Sequence, residues 1–168
     1  RRNKIAVRKR QGKIAQLRGL IESRPLPESS CGISHTRWAT HGVPNRANAH
    51  PHFDASKKIL VVHNGIIENY QILKKELQAR EVKFVSETDT EVISQLIGFY
   101  YNTQAGLRAA GMMPAEDRFV SAVQKAIARL EGAFALGILC EDVPDTLITA
   151  RIGSPLIIGV GSHGHFIA

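Results

Sequence analysis

The chain has 168 residues, of which 43% are hydrophobic and 22% are charged, an ordinary balance for one globular domain with a packed core. No apolar run approaches the roughly 20 residues that span a bilayer, and the basic start is not followed by an apolar h-region, so the sequence predicts neither a membrane segment nor a secretory signal. The wide spacing of Cys31 and Cys140 favours reduced thiols in a cytoplasmic protein, with a disulfide as the open alternative.

The net charge of +7 is concentrated at the start of the chain. Eight of the 22 lysines and arginines precede residue 19, and the rest of the chain carries 14 basic and 15 acidic residues. A nucleic-acid site spreads its basic residues over one face and interleaves aromatic residues or a recognisable motif, and this segment has neither. We interpret the segment as a solvated edge hairpin and expect no nucleic-acid partner.

The first 38 residues predict two strands separated by a helix. Apolar and basic residues alternate over 3–10, as expected for a strand that Gln11-Gly12 turns. Apolar residues then recur at helical spacing from Ile14 to Ile21, which predicts a short helix. A second strand is predicted at 31–38.

The middle of the chain alternates irregular segments with regular ones. A polar, irregular stretch covers 39–56, and an apolar strand follows at 59–63, closed by the turn-forming Asn-Gly pair at 64–65. Helical spacing returns over 67–77, and residues 82–85 predict another strand.

The last part of the chain predicts two longer helices followed by strands. Ser86 or Thr88 is expected to cap the first helix, and apolar residues at helical spacing from Phe119 to Leu130 predict the second. Further strands are predicted at 133–140, 146–150 and 155–159, and the chain ends within one. Strands grouped around two central helices predict an α+β fold rather than a doubly wound parallel sheet.

Arg37 and Asp89 are candidates for binding an amino-acid substrate. Such a substrate needs a cation for its carboxylate and an anion for its ammonium group. A guanidinium can bind a carboxylate with two hydrogen bonds, and an aspartate supplies the opposite charge. Taken singly, a salt-bridge role for Arg37 and a place in the first turn of a helix for Asp89 are the simpler interpretations.

Asn64 and Gly65 are candidates for stabilising an oxyanion. Amide hydrolysis needs donors aimed at the oxygen of the tetrahedral intermediate, and an Asn side-chain amide beside a Gly backbone N–H can supply both. Gly65 also permits close approach to its backbone, since it has no Cβ. The alternative for this pair is an ordinary turn after an apolar strand.

Five segments together resemble the class II glutamine amidotransferases, the family with an N-terminal nucleophile fold. Within it they resemble most the glutaminase domains of the enzymes of hexosamine biosynthesis that make glucosamine 6-phosphate from fructose 6-phosphate. The resemblance runs from about Gly12 to the last residue. The segments are HTRWATHG at 35–42, NAHPH at 48–52, VVHNGIIENY at 61–70, FVSETDTEVI at 84–93 and RIGSPLIIGVG at 151–161.

The resemblance implies a four-layer αββα sandwich and a role for each matching residue. Arg37 would bind the α-carboxylate of L-glutamine, with Thr40 and His41 beside it, and Asp89 would bind the α-ammonium. Asn64 and the Gly65 amide would stabilise the oxyanion. Trp38 is implied as a gate where ammonia leaves, and His50 matches a position near the active site. The resemblance implies no cofactor and no metal.

The resemblance also implies what the rest of the protein supplies. The family's nucleophile is an N-terminal cysteine whose own α-amino group acts as the general base. This chain begins with Arg1, so we expect residues 1–168 to be part of an amidotransferase domain and inactive alone. The nucleophile segment is expected upstream and a sugar isomerase domain downstream, in a parent protein that forms a homodimer. The alternative is a non-catalytic module that binds glutamine or glutamate.

Two other sites are less favoured by the sequence. Cys31-Gly32-Ile33 imitates the family's opening, but Cys31 lies six residues before Arg37 on the same predicted strand, so a buried strand thiol is the better interpretation. The histidines at 41, 50, 52 and 63 could suggest zinc. Their spacing lacks the usual pattern, and hydrogen-bonded loop histidines are the favoured interpretation.

Overall fold

The computed structural model describes residues 4–38, 42–103, 111 and 113–168. Within these ranges the helices are α1 Ile14–Ser23, α2 Tyr70–Gln78, α3 Asp89–Thr103 and α4 Ala115–Ile127. The strands are β1 His52–Phe53, β2 Ile59–Ile67, β3 Gly132–Cys140, β4 Val143–Ile152, β5 Ile158–Gly161 and β6 Gly164–Ile167. No helix in the described ranges is both long and apolar enough to cross a membrane.

The centre of the fold is a four-stranded antiparallel sheet with the order β1-β2-β3-β4, and β5 and β6 form a separate hairpin. β2 and β3 pair along their whole length, from Ile59 opposite Cys140 to Ile67 opposite Gly132. The predicted turn at Asn64-Gly65 is therefore wrong. β2 continues through this pair because its ladder with β3 outweighs the local preference of Asn-Gly for a turn.

One face of the sheet is covered by α2, α3 and α4. Alternate residues of β3 point into this layer, since Phe134, Leu136 and Ile138 are 0 to 2% exposed. They pack in one core with Ile93 of α3 and Phe119 of α4. Each such side chain contributes about 1.5–3 kcal/mol by leaving water. Helices layered on one antiparallel sheet confirm the predicted α+β class.

The start of α3 is fixed by its own polar side chains. Thr88 caps the helix, because its Oγ1 accepts a hydrogen bond from the N–H of Glu91 at 3.3 Å. The Glu91 carboxylate is buried and accepts from the backbone N–H groups of Val85 at 2.9 Å and Ser86 at 2.6 Å. The strand predicted at 82–85 is therefore wrong, since a side chain takes the place of a ladder partner here.

The two strands predicted before residue 39 are also wrong, because neither segment has regular secondary structure in the described ranges. Neither joins a ladder in the described ranges. Residues 31–38 nevertheless keep the alternation of a strand, with half-buried residues every second position from Cys31 to Arg37. In the basic segment, Arg8 donates to the carbonyls of Arg24 and Pro25 at the end of α1, both at 2.8 Å. The Arg8 guanidinium therefore stabilises the reversal of the chain between the basic segment and the end of α1.

The helices occur where apolar spacing predicts them, with corrected limits. α1 forms as predicted, but none of its residues is buried. The helix predicted over 67–77 begins at Tyr70, because Ile67 is the last residue of β2.

Candidate functional site

One cavity of about 290 Å³ opens where the end of β2 meets the start of α3. Its volume suits a small metabolite. The predicted residues Arg37, Trp38, Asn64, Gly65 and Asp89 all line it. His35, Thr36, His50, His63, Ile66 and Thr88 complete the lining. Thr40 and His41 lie outside the described residues.

Arg37 reaches the cavity from the extended segment 31–38. Strand-like alternation places Arg37 and His35 on the same, half-buried side of that segment. The Arg37 guanidinium donates from Nη2 to the carbonyl of Gly42 at 3.1 Å. One of its five N–H groups therefore binds the protein's own loop.

The loop that holds Arg37 is tied to the start of α3 by a reciprocal pair of hydrogen bonds. The side chain of Asn48 donates from Nδ2 to the Glu87 carboxylate at 2.9 Å. In return, the backbone N–H of Glu87 donates to the Asn48 side-chain oxygen at 3.0 Å. Asn48 is 1% exposed and Glu87 is exposed, so both bonds are part-buried. The loop whose Gly42 carbonyl accepts from Arg37 is thereby joined to the residue two positions before Asp89.

Asp89 is the first residue of α3 and is 3% exposed. Its Oδ2 accepts from the backbone N–H of Ile67 at 3.0 Å, and its Oδ1 lies 3.8 Å from Nδ1 of His63. The positive end of the α3 dipole favours a carboxylate at this position. The interpretation of Asp89 as a residue in the first turn of a helix is thus correct. The same carboxylate also lines the cavity, so the two interpretations are compatible.

Asn64 and Gly65 lie on the exposed end of β2. The Asn64 side-chain oxygen hydrogen bonds to Nε2 of His35 at 2.7 Å. Gly65 has φ +126°, and a Cβ there would lie 2.1 Å from the carbonyl oxygen of Ala133. The close approach that requires glycine here is therefore that of β3.

Hydrogen-bonded histidines surround the cavity. His50 contacts Nδ1 of His35 and Oγ1 of Thr90, each at 2.7 Å, while His63 reaches the same Thr90 hydroxyl at 3.1 Å. His52 bonds to Oγ1 of Thr88 at 3.1 Å. The interpretation as a hydrogen-bonded loop histidine is confirmed for His50. His52 and His63 are also hydrogen bonded, but they lie in β1 and β2 rather than in a loop. Within the described ranges, His, Cys, Asp and Glu side chains form no group of three or more that could hold a metal ion.

Burial favours the neutral imidazole of His35, His50 and His52 by lowering the pKa of each. It lowers the pKa of His50 to about 2 and the pKa of His52 to about 3, and nearby positive groups add to both effects. Burial also lowers the pKa of His35, although its hydrogen bond with Asn64 acts in the opposite direction. Neutral histidines can each donate through one ring nitrogen and accept through the other.

Acid is expected to destabilise this region through His52. In the unfolded chain a histidine takes up a proton near its usual pKa of about 6.5, whereas folded His52 does so near pH 3. The unfolded state binds more protons between these limits. The stabilisation is therefore complete above about pH 6.5 and is lost as the pH falls toward 3. At pH 5 the loss from His52 is about 2 kcal/mol.

The change His52→Gln tests this pH dependence. It removes one titrating group, so the fall in stability between pH 8 and pH 5 is expected to shrink by about 2 kcal/mol, whatever the change does at pH 8. Urea unfolding of the intact protein, followed by hydrogen exchange in α3, measures the difference. His165→Gln, on the exposed strand β6, is the control and should leave the fall unchanged. An equal fall in His52→Gln and the unchanged protein would contradict the assignment.

Cys31 lies away from this cavity. It lines a second, larger cavity of about 2020 Å³, between the segments before residue 52 and the uncovered face of the sheet. Burial raises the pKa of the Cys31 thiol, which disfavours the nucleophilic thiolate. The predicted buried strand thiol is half-buried and lies outside any strand. Both cysteines are free, so the open disulfide alternative is not realised.

Sequence reasoning missed several residues of the site. No role is predicted for His35, Thr36 and Thr90, and Thr88 and His63 are predicted only as a helix cap and a loop histidine. Each of the five lies within two residues of a predicted site residue. This closeness in sequence is the signal that could have identified them. It could not show that Thr90 contacts two histidines, because those contacts span 27 to 40 positions of sequence.

Two solved structures share the fold of this chain. The glutamine phosphoribosylpyrophosphate amidotransferase from B. subtilis, complexed with ADP and GMP, aligns with a TM-score of 0.56 and 24% identity over 79% of this chain and 26% of that chain. A structure described as the allosteric regulatory enzyme of purine biosynthesis aligns with a TM-score of 0.55 and 26% identity, with the same shares covered. These similarities confirm the predicted α+β fold.

Sequence comparison gives the family. Residues 2–113 match the model of the glutamine amidotransferase domain, and the chain belongs to that family. The glutamine–fructose-6-phosphate aminotransferase (isomerizing) of Caldanaerobacter subterraneus subsp. tengcongensis is 46% identical over 164 residues, and that of Corynebacterium glutamicum is 47% identical over 163. These alignments cover 98% and 97% of this chain but 24% and 25% of the relatives. The chain thus spans about a quarter of the length of the curated relatives it matches.

Proposed function

We propose that the cavity binds L-glutamine and that the parent protein hydrolyses it to glutamate and ammonia. One observation carries the proposal: a guanidinium, a buried carboxylate and an Asn-Gly pair line a single cavity. Glutamine has a complementary group for each, namely a carboxylate, an ammonium and a side-chain carbonyl. Opposite charges fixed on tied elements select a zwitterion of matching length.

Each residue has a defined task in this proposal. Arg37 binds the α-carboxylate, and Asp89 binds the α-ammonium. The Asn64 amide and the Gly65 N–H donate to the oxygen of the tetrahedral intermediate, where negative charge develops. Thr40 and His41 assist Arg37 in binding the carboxylate.

The proposal extends to the fate of the ammonia. Trp38 is 88% exposed and lines the same cavity, a position suited to gating the exit. As the names of the aminotransferase relatives suggest, the parent protein passes ammonia to fructose 6-phosphate, giving glucosamine 6-phosphate. The sugar chemistry belongs to an isomerase domain downstream in a cytoplasmic homodimer. The nucleophile is an N-terminal cysteine upstream of these residues, with its own amino group as the base.

A binding module without catalysis is the second candidate. It is favoured by one observation, that neither cysteine of this chain lines the cavity. Arg37 and Asp89 would serve recognition of glutamine or glutamate equally well in such a module. The two candidates differ in turnover by the full-length protein, since only the first releases glutamate.

Asn64→Ala in the full-length protein tests the catalytic proposal. Loss of one oxyanion donor is expected to lower kcat for glutamate release by about 10², with KM within about twofold, because the donor acts mainly in the transition state. Asn102→Ala, at an exposed position of α3, is the control and should retain kcat. Full activity in Asn64→Ala would remove the oxyanion role. Glutamate binding without any turnover in the unaltered protein would favour the binding module.

A further inference from the structure

A continuous line of hydrogen bonds runs behind the cavity from Asn64 to the start of α3. The Asn64 Oδ1 contacts Nε2 of His35 at 2.7 Å, and Nδ1 of His35 contacts Nδ1 of His50 at 2.7 Å. The other nitrogen of His50 contacts Oγ1 of Thr90 at 2.7 Å, and that hydroxyl contacts Nδ1 of His63 at 3.1 Å. Thr90 is 1% exposed and stands next to Asp89. The line therefore joins the two ends of the cavity.

The positions of the protons along this line follow from which atoms can only accept. An amide oxygen accepts, so His35 must carry its proton on Nε2 and present a bare Nδ1. His50 then donates from Nδ1 and accepts at Nε2. The Thr90 hydroxyl gives its one proton to His50 at 2.7 Å rather than to Oδ1 of Asp89, which lies farther away at 3.5 Å, and it accepts the proton on Nδ1 of His63. Every contact has one donor and one acceptor, and each histidine is neutral in a single tautomer.

The neutral state that this order requires is the one that the surroundings favour. Burial lowers the pKa of both His35 and His50, the latter to about 2. A protonated His50 would donate from both nitrogens, and a protonated His35 would likewise lose its acceptor. Either change would break the order at the contact between the two rings.

The direction of the line and the orientation of the Asn64 amide go together, since Oδ1 is the end that contacts His35. With Oδ1 held by His35, the NH₂ group is the end left to point at a substrate oxygen. In the opposite direction each proton would sit on the other partner, and Asn64 would present its carbonyl oxygen. That oxygen would repel an oxyanion instead of stabilising it.

We propose that His35, His50 and Thr90 are positioning residues, a relay that fixes the orientation of the Asn64 amide from the start of α3. The inference rests on the proposed function, because it assigns the relay to the oxyanion donor of glutamine hydrolysis. None of the three residues needs to touch the reacting atoms. The relay acts on kcat through Asn64, and it makes catalysis depend on a hydroxyl in the helix that also carries Asp89.

Thr90→Val and Thr90→Ser in the full-length protein form the test. Val keeps the shape of Thr but removes the hydroxyl, whereas Ser keeps the hydroxyl. We expect Thr90→Val to lower kcat for glutamate release about tenfold with KM unchanged, and Thr90→Ser to stay within about twofold of the unaltered protein. An effect on KM alone would instead mean that Thr90 acts on Asp89, and it would overturn the relay.

A double-mutant cycle separates the relay from a general structural role. In an Asn64→Ala background, Thr90→Val is expected to change kcat by less than twofold, because the group it positions is already absent. If the two substitutions instead lower kcat by independent factors that multiply, the relay is overturned and the oxyanion role of Asn64 remains. If Asn64→Ala alone has no effect, the proposed function fails at this residue and the relay with it. His35→Phe carries the same cycle if Thr90→Val does not fold.

Discussion

Asp89→Asn in the full-length protein is expected to lower kcat/KM for glutamine by about 10³, mostly through a higher KM. The change preserves the shape of the side chain and removes its charge. Truncating one partner of a buried, hydrogen-bonded charge pair costs about 2–5 kcal/mol. The ammonium group is equally charged in substrate and transition state, so its binding appears in KM. Asn64→Ala should instead lower kcat and leave KM nearly unchanged.

The matched control for Asp89→Asn is Asp117→Asn. Asp117 stands in the first turn of α4 and is exposed, so its substitution removes the same charge from a helix start outside the cavity. It is expected to leave the kinetics unchanged and to cost about 0.5 kcal/mol of stability through the helix dipole. Steady-state kinetics over a range of glutamine concentrations makes the comparison. A value of kcat/KM within threefold for Asp89→Asn would contradict the ammonium role.

Gly65→Ala is expected to disrupt the end of β2 and to abolish glutaminase activity. The new Cβ would lie 2.1 Å from the Ala133 carbonyl oxygen and 2.8 Å from the Phe134 Cα, both in the backbone of β3. Neither atom can rotate away, and φ +126° is a region that residues with a Cβ rarely adopt. Together these effects should exceed about 4 kcal/mol, in the range reserved for severe steric changes. Hydrogen exchange of the β2 and β3 amides in the intact protein measures the loss.

Gly111→Ala separates the energetic cost of a positive φ from the cost of a steric clash. Gly111 also has a positive φ, +66°, but a Cβ there meets nothing within 4 Å. Its substitution should cost about 1 kcal/mol and leave exchange in β2 unchanged. Equal protection of β2 in Gly65→Ala and the unaltered protein would show that the strand can move aside.

The elements that sequence predicts well are those whose signal is local. The apolar spacing of α3 and α4 and the apolar run of β3 each identify a buried face without knowledge of the partner. The failures involve partners far along the chain. Residues 31–38 alternate like a strand, but alternation cannot reveal whether a ladder partner exists. The turn expected at 64–65 does not form, because these residues pair with β3, about 70 positions later in the chain.

For the candidate site, sequence identified the chemistry and the structure supplied the arrangement. Arg37, Asn64 and Asp89 were predicted from the needs of an amino-acid substrate and from a resemblance, and they line one cavity. The reason for glycine at 65 was not predictable, since it depends on the backbone of β3. The contacts of Thr90 with His50 and His63 were equally inaccessible, because threonine in the first turn of a helix is usually only a surface residue.

The reciprocal bonds between Asn48 and Glu87 have a consequence for selectivity. Because they join the loop after Gly42 to the residue two positions before Asp89, a shift of the α3 start carries the Arg37 loop with it. The distance between the Arg37 guanidinium and the Asp89 carboxylate therefore stays constant. A constant distance favours an α-amino acid, in which one carbon separates the amino and carboxylate groups. A compound with a longer separation would have to stretch the bonds between Asn48 and Glu87 before both of its charged groups could bind.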